Sequence, residues 1–129
     1  MPSRPVILDT NFLLIPFQFR IDILRELEYL LEYSHHYVIS SKTIDELKKL
    51  GKMIGKDGMA ARLALKLVEA NKGRIEIIKS GKYVDEWIVE YAKQNGAIVC
   101  TNDSALRRKL RSLDLKVISM KSKSKLGVV

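Results

Sequence analysis

The sequence predicts an α/β fold: a three-layer α/β/α sandwich built on a five-stranded parallel sheet. Two observations carry that expectation. Short apolar, β-branched runs alternate with segments of helical period along the chain, which is the rhythm of βαβ units. The runs also place apolar residues at successive positions rather than at every second one, as strands covered on both faces do.

The elements follow in order. "PVILD" (5–9) reads as the first strand, and a helix is expected from Ile21 to about Glu32, with Ile23, Leu24, Leu27, Leu30 and Leu31 as its inner stripe. "HYVIS" (36–40) is the second strand. "SKTIDELKKLGKMI" (41–54) opens with hydroxyl residues suited to a cap and continues at helical period. "GKDG" (55–58) interrupts it, and a further helix runs from Met59 to about Asn71, stopped by Asn71 and Gly73. "IEIIK" (75–79) is the third strand, "SGK" a turn, and Val84 to Gln94 a helix ended by Asn95-Gly96. "AIVCT" (97–101), "SALRRKLRSL" and "KVISM" (116–120) complete the series as strand, short helix and fifth strand. The domain so read spans 1–120. The basic tail "KSKSKLGVV" (121–129) is either disordered or docks a final short strand.

At 129 residues and 47% hydrophobic composition, the chain has material for one domain with one core. No apolar run approaches the roughly 20 residues that span a bilayer. The run after Arg4 is too short for a signal peptide and contains Asp9. The single cysteine, Cys100, excludes an intrachain disulfide and suits a reducing compartment. The expectation is a cytoplasmic protein without a membrane partner. The net charge of +8 is clustered: Lys48, Lys49, Lys52 and Lys56; Arg107, Arg108, Lys109 and Arg111; Lys121, Lys123 and Lys125. Such clusters suit a polyanion. Because aromatics do not interleave them, they suit its phosphates more than its bases.

Four acids then define a candidate site. Asp9 lies amid Val6, Ile7, Leu8, Phe12, Leu13 and Leu14, where a carboxylate is costly unless something offsets its lost hydration. Glu46 follows the second strand, Asp85 the third and Asp103 the fourth, and ligands of open α/β sheets bind beyond the carboxyl ends of the strands. Helical phase separates neighbours. Asp85 leads the stripe of Ile88, Val89 and Ala92, and Glu46 lies one turn from Leu50, so Glu86 and Asp45 are expected to face away. Each acid also has a structural reading. Asp9, Asp85 and Asp103 suit helix starts, and Glu46 completes a Thr43-x-x-Glu46 capping box. Taken together, four caps on one ligand-binding edge point to one shared site. Crowded carboxylates repel, a divalent cation removes the repulsion, and an all-oxygen donor set selects Mg²⁺ or Mn²⁺. Such a site beside basic clusters suits phosphodiester hydrolysis.

"VILDTNFLL", "VISSKTIDELKKL", "DEWIVEYAKQNGAIVCTND" and "KVISM" together resemble the PIN-domain nucleases, in order and over nearly the whole chain. The resemblance implies that Asp9, Glu46, Asp85 and Asp103 take the family's metal-binding acidic positions and that Asn11 and Thr101 line the pocket. It also implies a PIN-like sheet, Mg²⁺- or Mn²⁺-dependent endoribonuclease activity and frequent homodimers. The setting would be rRNA processing beside a ribosome-assembly factor, or a VapC-type toxin with its antitoxin. Some members carry a further acid where this chain has Ala105. RNA is the expected substrate, with Lys48, Lys49 and Lys52 on its phosphates. The rival reading is a catalytically silent RNA-binding or scaffold module, which has no use for four intact carboxylates.

Other residues have plainer expectations. His35 and His36 suit the surface, Cys100 a strand core, and Tyr29, Tyr33 and Tyr37 the core edge. Trp87 suits helix packing, an interface or RNA stacking.

Overall fold

A computed structural model describes residues 3–81 and 83–129. The order is β1 (Arg4–Leu8), α1 (Thr10–Phe19), α2 (Ile23–Leu30), β2 (His35–Ser40), α3 (Ser41–Leu50), α4 (Lys56–Ala70), β3 (Ile75–Ile78), α5 (Val84–Asn95), β4 (Ile98–Cys100), α6 (Ser104–Ser112), β5 (Val117–Ser122) and β6 (Lys125–Val128). The strands form one sheet in the order β3-β2-β1-β4-β5-β6. The first five are parallel, and β6 returns antiparallel to β5.

Alternating strand residues face two separate cores, which is why the runs are apolar throughout. Val6, Leu8, Ile98 and Cys100 pack with α1, α2, α3 and α4. Ile7, Val99 and Val117 pack with α5 and α6. The three-layer class is therefore as expected, with six strands in place of five. The sixth comes from the tail, whose Leu126 is buried in the larger core and whose backbone pairs with β5 from Ile118 to Ser122.

Two further departures have local causes. Helix α1 was not expected, because "TNFLLIPFQF" is apolar on nearly every side, contains Pro16 and shows no polar stripe to mark a helix. It buries Phe12, Leu13 and Ile15 against the sheet. The interruption at "GKDG" is shorter than expected: Gly55 takes φ 98° and α4 begins at the next residue. Gly58 thus lies in its first turn, where a Cβ would collide with the Met53 carbonyl oxygen. Glycine is required there by close packing rather than to stop a helix.

The histidine expectation also changes. The side chain of His35 is 8% exposed. Its Nδ1 lies 2.9 Å from the Tyr33 carbonyl and its Nε2 3.0 Å from Glu28, which accepts the Tyr37 hydroxyl at 2.7 Å and pairs with Arg74. This polar knot closes the amino ends of the strands. Tyr37 is buried beside it, whereas Tyr29 is exposed rather than at the core edge. Cys100 is buried as expected, and no helix of the described residues is long and apolar enough to cross a membrane.

Candidate functional site

The sheet order sets the position of the site. The chain winds outward from β1 to β2 and β3, then returns to place β4 on the other side of β1. Helix α1 leaves β1 toward one face and α6 leaves β4 toward the other. The carboxyl ends of β1 and β4 therefore flank a crevice, the position where open α/β sheets bind ligands.

Asp9 stands at that switch point and is 4% exposed. Its Oδ1 accepts the Thr10 amide at 2.8 Å, and its Oδ2 accepts the Thr101 hydroxyl at 2.7 Å and the Asn11 amide at 3.1 Å. Burial dominates these bonds and pushes its pKa up to about 6, with the nearby Asp85 and Glu46 charges adding to the rise. Asp9 caps α1 through one oxygen. The cap and the buried acid are one residue.

Glu46 does not cap its helix. Helix α3 starts directly after β2 with Ser40 as its cap, so Thr43 lies buried inside the helix and the expected capping box does not form. Glu46 instead accepts the Thr10 hydroxyl at 2.8 Å, across from α1. Asp103 caps α6, accepting the Leu106 amide at 2.9 Å through Oδ1, while its own amide donates to Thr101. Asp85 makes no cap bond; Tyr83 occupies the cap position of α5. Partial burial raises the Asp85 carboxyl, the Asp103 charge raises it further, and Lys109 opposes both. The Asp9 carboxyl is thus raised in part by Glu46 and Asp85, and the Asp85 carboxyl in part by Asp103, which places the four acids around one end of the sheet. Among the described residues, no three Asp, Glu, His or Cys side chains are arranged to hold one metal ion directly. All-oxygen donors without a closed protein shell match the habit of Mg²⁺, which takes one or two carboxylates and completes its octahedron with waters and phosphate oxygens. The residues fit such an ion.

A cleft of about 1010 Å³ lies between α3 and the start of α5, lined by Lys42, Glu46 and Lys49 on one element and by Tyr83 and Asp85 on the other; of the four expected acids it takes in Glu46 and Asp85, while Asp9 and Asp103 lie outside its lining. Asp45 and Glu86 also line it, so helical phase did not turn them away. The reason is geometric: helical neighbours diverge by about 100°, and a wide cleft between two solvent-facing helix starts admits both. Of the three lysines expected on phosphates, Lys49 lines the cleft, whereas Lys48 and Lys52 are exposed and lie outside its lining.

Asn11 and Thr101, expected to line the pocket, sit against Asp9 and outside the lining of the cleft; Thr101 is fully buried, and its hydroxyl bonds the Asp9 carboxylate. Sequence reasoning missed Thr10, Lys42, Tyr83 and Asn102. Lys42 was legible, since it shares the helical face of Glu46 and Lys49 at offsets of four and seven from them. Asn102 was not. Its side-chain oxygen accepts from Ser119 at 2.9 Å and from the Met120 amide, while its backbone donates to Asn11, bonds that exist only once β1, β4 and β5 are side by side. Trp87 stacks on Tyr91 with centroids 5.0 Å apart and belongs to the packing of α5.

Comparison with known proteins agrees with this architecture. A family profile described as a PIN-like domain matches residues 6–123. The chain is 34% identical to a protein named ribonuclease VapC4 of Methanocaldococcus jannaschii, covering 92% of this chain and 91% of that one. It is 31% identical to the rRNA-processing protein FCF1 of Saccharomyces cerevisiae, covering 87% of this chain and 57% of the yeast protein. The solved structure of the PIN domain endonuclease Utp24 superposes with a TM-score of 0.80 at 29% identity, over 99% of this chain and 92% of that one. Fold and sequence agree, and the chain belongs to the PIN-like domain family.

Proposed function

We propose that this protein is a divalent-metal-dependent endoribonuclease that hydrolyses RNA phosphodiester bonds. The observation that carries the reading is Asp9: a buried carboxylate at the sheet's switch point, with Glu46 and Asp85 close enough to raise its pKa, in a chain of net charge +8. Such an acid cluster inside a basic protein is costly unless a cation occupies it. Asp9, Glu46, Asp85 and Asp103 would hold Mg²⁺ or Mn²⁺ between them, one or two of the carboxylates directly and the others through bound waters. When bound, the ion supplies charge neutralisation at the phosphate and Lewis acidity for attack by water.

The chain's own groups do the positioning. Thr101 and Asn11 hold the Asp9 carboxylate, and Thr10 aims Glu46 by the bond across α1 and α3. Lys42 and Lys49 flank Glu46 on the cleft wall and take phosphates of the strand, favouring bound RNA at one register. The four cleft carboxylates outnumber these two lysines, so a polyanion enters readily only after the acids are neutralised.

The relatives' names share RNA as the thing acted on, as a ribonuclease and as an rRNA-processing protein. RNA is therefore the substrate class proposed here. An antitoxin or a ribosome-assembly factor as partner, a homodimer and a cytoplasmic location belong to the same reading. The test is cleavage of a single-stranded RNA with Mn²⁺, Mg²⁺ or chelator. Cleavage in either metal, its loss in chelator, and its loss in Glu46→Gln but not Asp45→Asn support the proposal. Undiminished cleavage in chelator overturns the metal requirement, and equal losses in the two variants remove Glu46 from its special role.

A further inference from the structure

Tyr83 is the aromatic residue of the cleft, and its placement has no structural explanation in the fold. It is 81% exposed. It sits at the cap position of α5 yet makes no side-chain cap bond, where Ser, Thr, Asp or Asn would satisfy a helix amide. Its ring stacks on no other ring among the described residues, in contrast to Trp87 and Tyr91 one and two turns further along the same helix. It lines the cleft together with Asp85, Lys42, Glu46 and Lys49.

We infer that Tyr83 is a base-stacking platform, and that the cleft selects RNA through an unpaired nucleotide next to the phosphate held at the acids. This rests on the ribonuclease reading and narrows its substrate to single-stranded segments. The chemistry is specific. A phosphate-binding wall alone accepts single and double strands alike, because both present phosphates. A base inside a duplex is already stacked on its neighbours and has no free face, whereas an unpaired base can leave the strand and lie on an aromatic ring. Every base has such a face, so the selection is for unpaired structure rather than for sequence. Two other features agree. Lys42 and Lys49 line the same cleft as Tyr83, which brings phosphate-binding groups and a stacking ring to one cleft. The basic clusters elsewhere carry no aromatics, which leaves stacking to this position.

The experiment is fluorescence anisotropy with three probes: a uridine-rich single strand, an adenosine-rich single strand and a blunt-ended RNA duplex of two annealed strands. Binding is measured in Ca²⁺, a hard cation that suits the same oxygen donors, alongside a cleavage assay in Mn²⁺. Tyr83→Ala is expected to weaken both single strands by roughly 5- to 150-fold, from the usual worth of base–aromatic stacking. It should leave binding of the duplex within about twofold of wild type. Tyr83→Phe, which keeps the ring, should bind like wild type. Because the side chain is exposed, the melting temperature of Tyr83→Ala should be unchanged. A wild type that binds and cleaves RNA while Tyr83→Ala binds single strands equally well overturns the stacking inference and leaves the nuclease reading intact. Equal weakening of single strand and duplex also overturns it. A wild type that neither binds nor cleaves any probe overturns both readings.

Discussion

The hydroxyl of Thr101 donates to Oδ2 of Asp9 at 2.7 Å and accepts the Asp103 amide at 3.0 Å. One buried side chain therefore links two of the acids, the first at the end of β1 and the second at the start of α6. Thr101→Val removes both bonds while keeping the shape, leaving a buried acceptor and a backbone donor without their partner. A loss of about 1–3 kcal/mol in urea denaturation is expected. Thr101→Ser, which keeps the hydroxyl, should recover most of it.

The raised pKa of Asp9 sets a pH dependence. The folded carboxyl titrates at about 6, against an ordinary value of 3.8, so between these values the folded chain holds a proton that the unfolded chain has lost. Stability from this group is complete below about pH 4 and falls as pH rises through about 6, by roughly 3 kcal/mol in total. Melting curves of metal-free protein should show that decline, and Asp9→Asn should flatten it. In wild type, Mn²⁺ should stabilise progressively more as pH rises through the same window, because the ion and the proton compete for one carboxylate.

Asp103→Asn separates capping from charge. Asparagine caps a helix as well as aspartate does, so the bond to the Leu106 amide survives and metal-free stability should stay equal or rise as repulsion with Asp85 is relieved. The variant should gain less stability than wild type from added Mn²⁺ and lose cleavage. Thermal scans with and without Mn²⁺ read both effects.

The lysines of α3 should divide by position. Neutralising Lys42 and Lys49, which line the cleft, should weaken RNA binding and flatten its dependence on salt by about 0.7 log unit per lost phosphate contact on a single strand. Neutralising Lys48 and Lys52 should change the slope much less. Titrations at several salt concentrations distinguish the two pairs, and equal slopes would move the RNA path away from the cleft.

What was legible in the sequence follows the range of the interactions involved. Strand runs and amphipathic helices are local patterns, so β1 to β5 and α2 to α6 lie within a few residues of expectation. Helix α1 has no polar face and was invisible to a reading based on periodicity. The four acids were legible because strand ends are local and the rule that ligands gather there is general. Their supports were not. The bond from Thr10 to Glu46 and the network from Asn102 to Asn11 and Ser119 depend on which strands become neighbours. Helical phase proved too coarse to separate Asp45 from Glu46, because it describes direction from the axis and says nothing of the width of the space outside.

The central place of β1 also bears on the order in which the chain is synthesised. Asp9 is synthesised before its hydroxyl partner, Thr101, from which it is separated by 92 positions. Strand β4 must dock beside β1 before the carboxylate receives that bond, and Asp103, the last of the four acids, emerges after it. A nascent chain that has folded β1, β2 and β3 holds half a sheet and an incomplete acid cluster. Long-range pairing of this kind is slow because its loop must close first. The four acids therefore come together only after β4 has been made and docked, and a nascent chain that stops short of it lacks the bond from Thr101 and the Asp103 carboxylate.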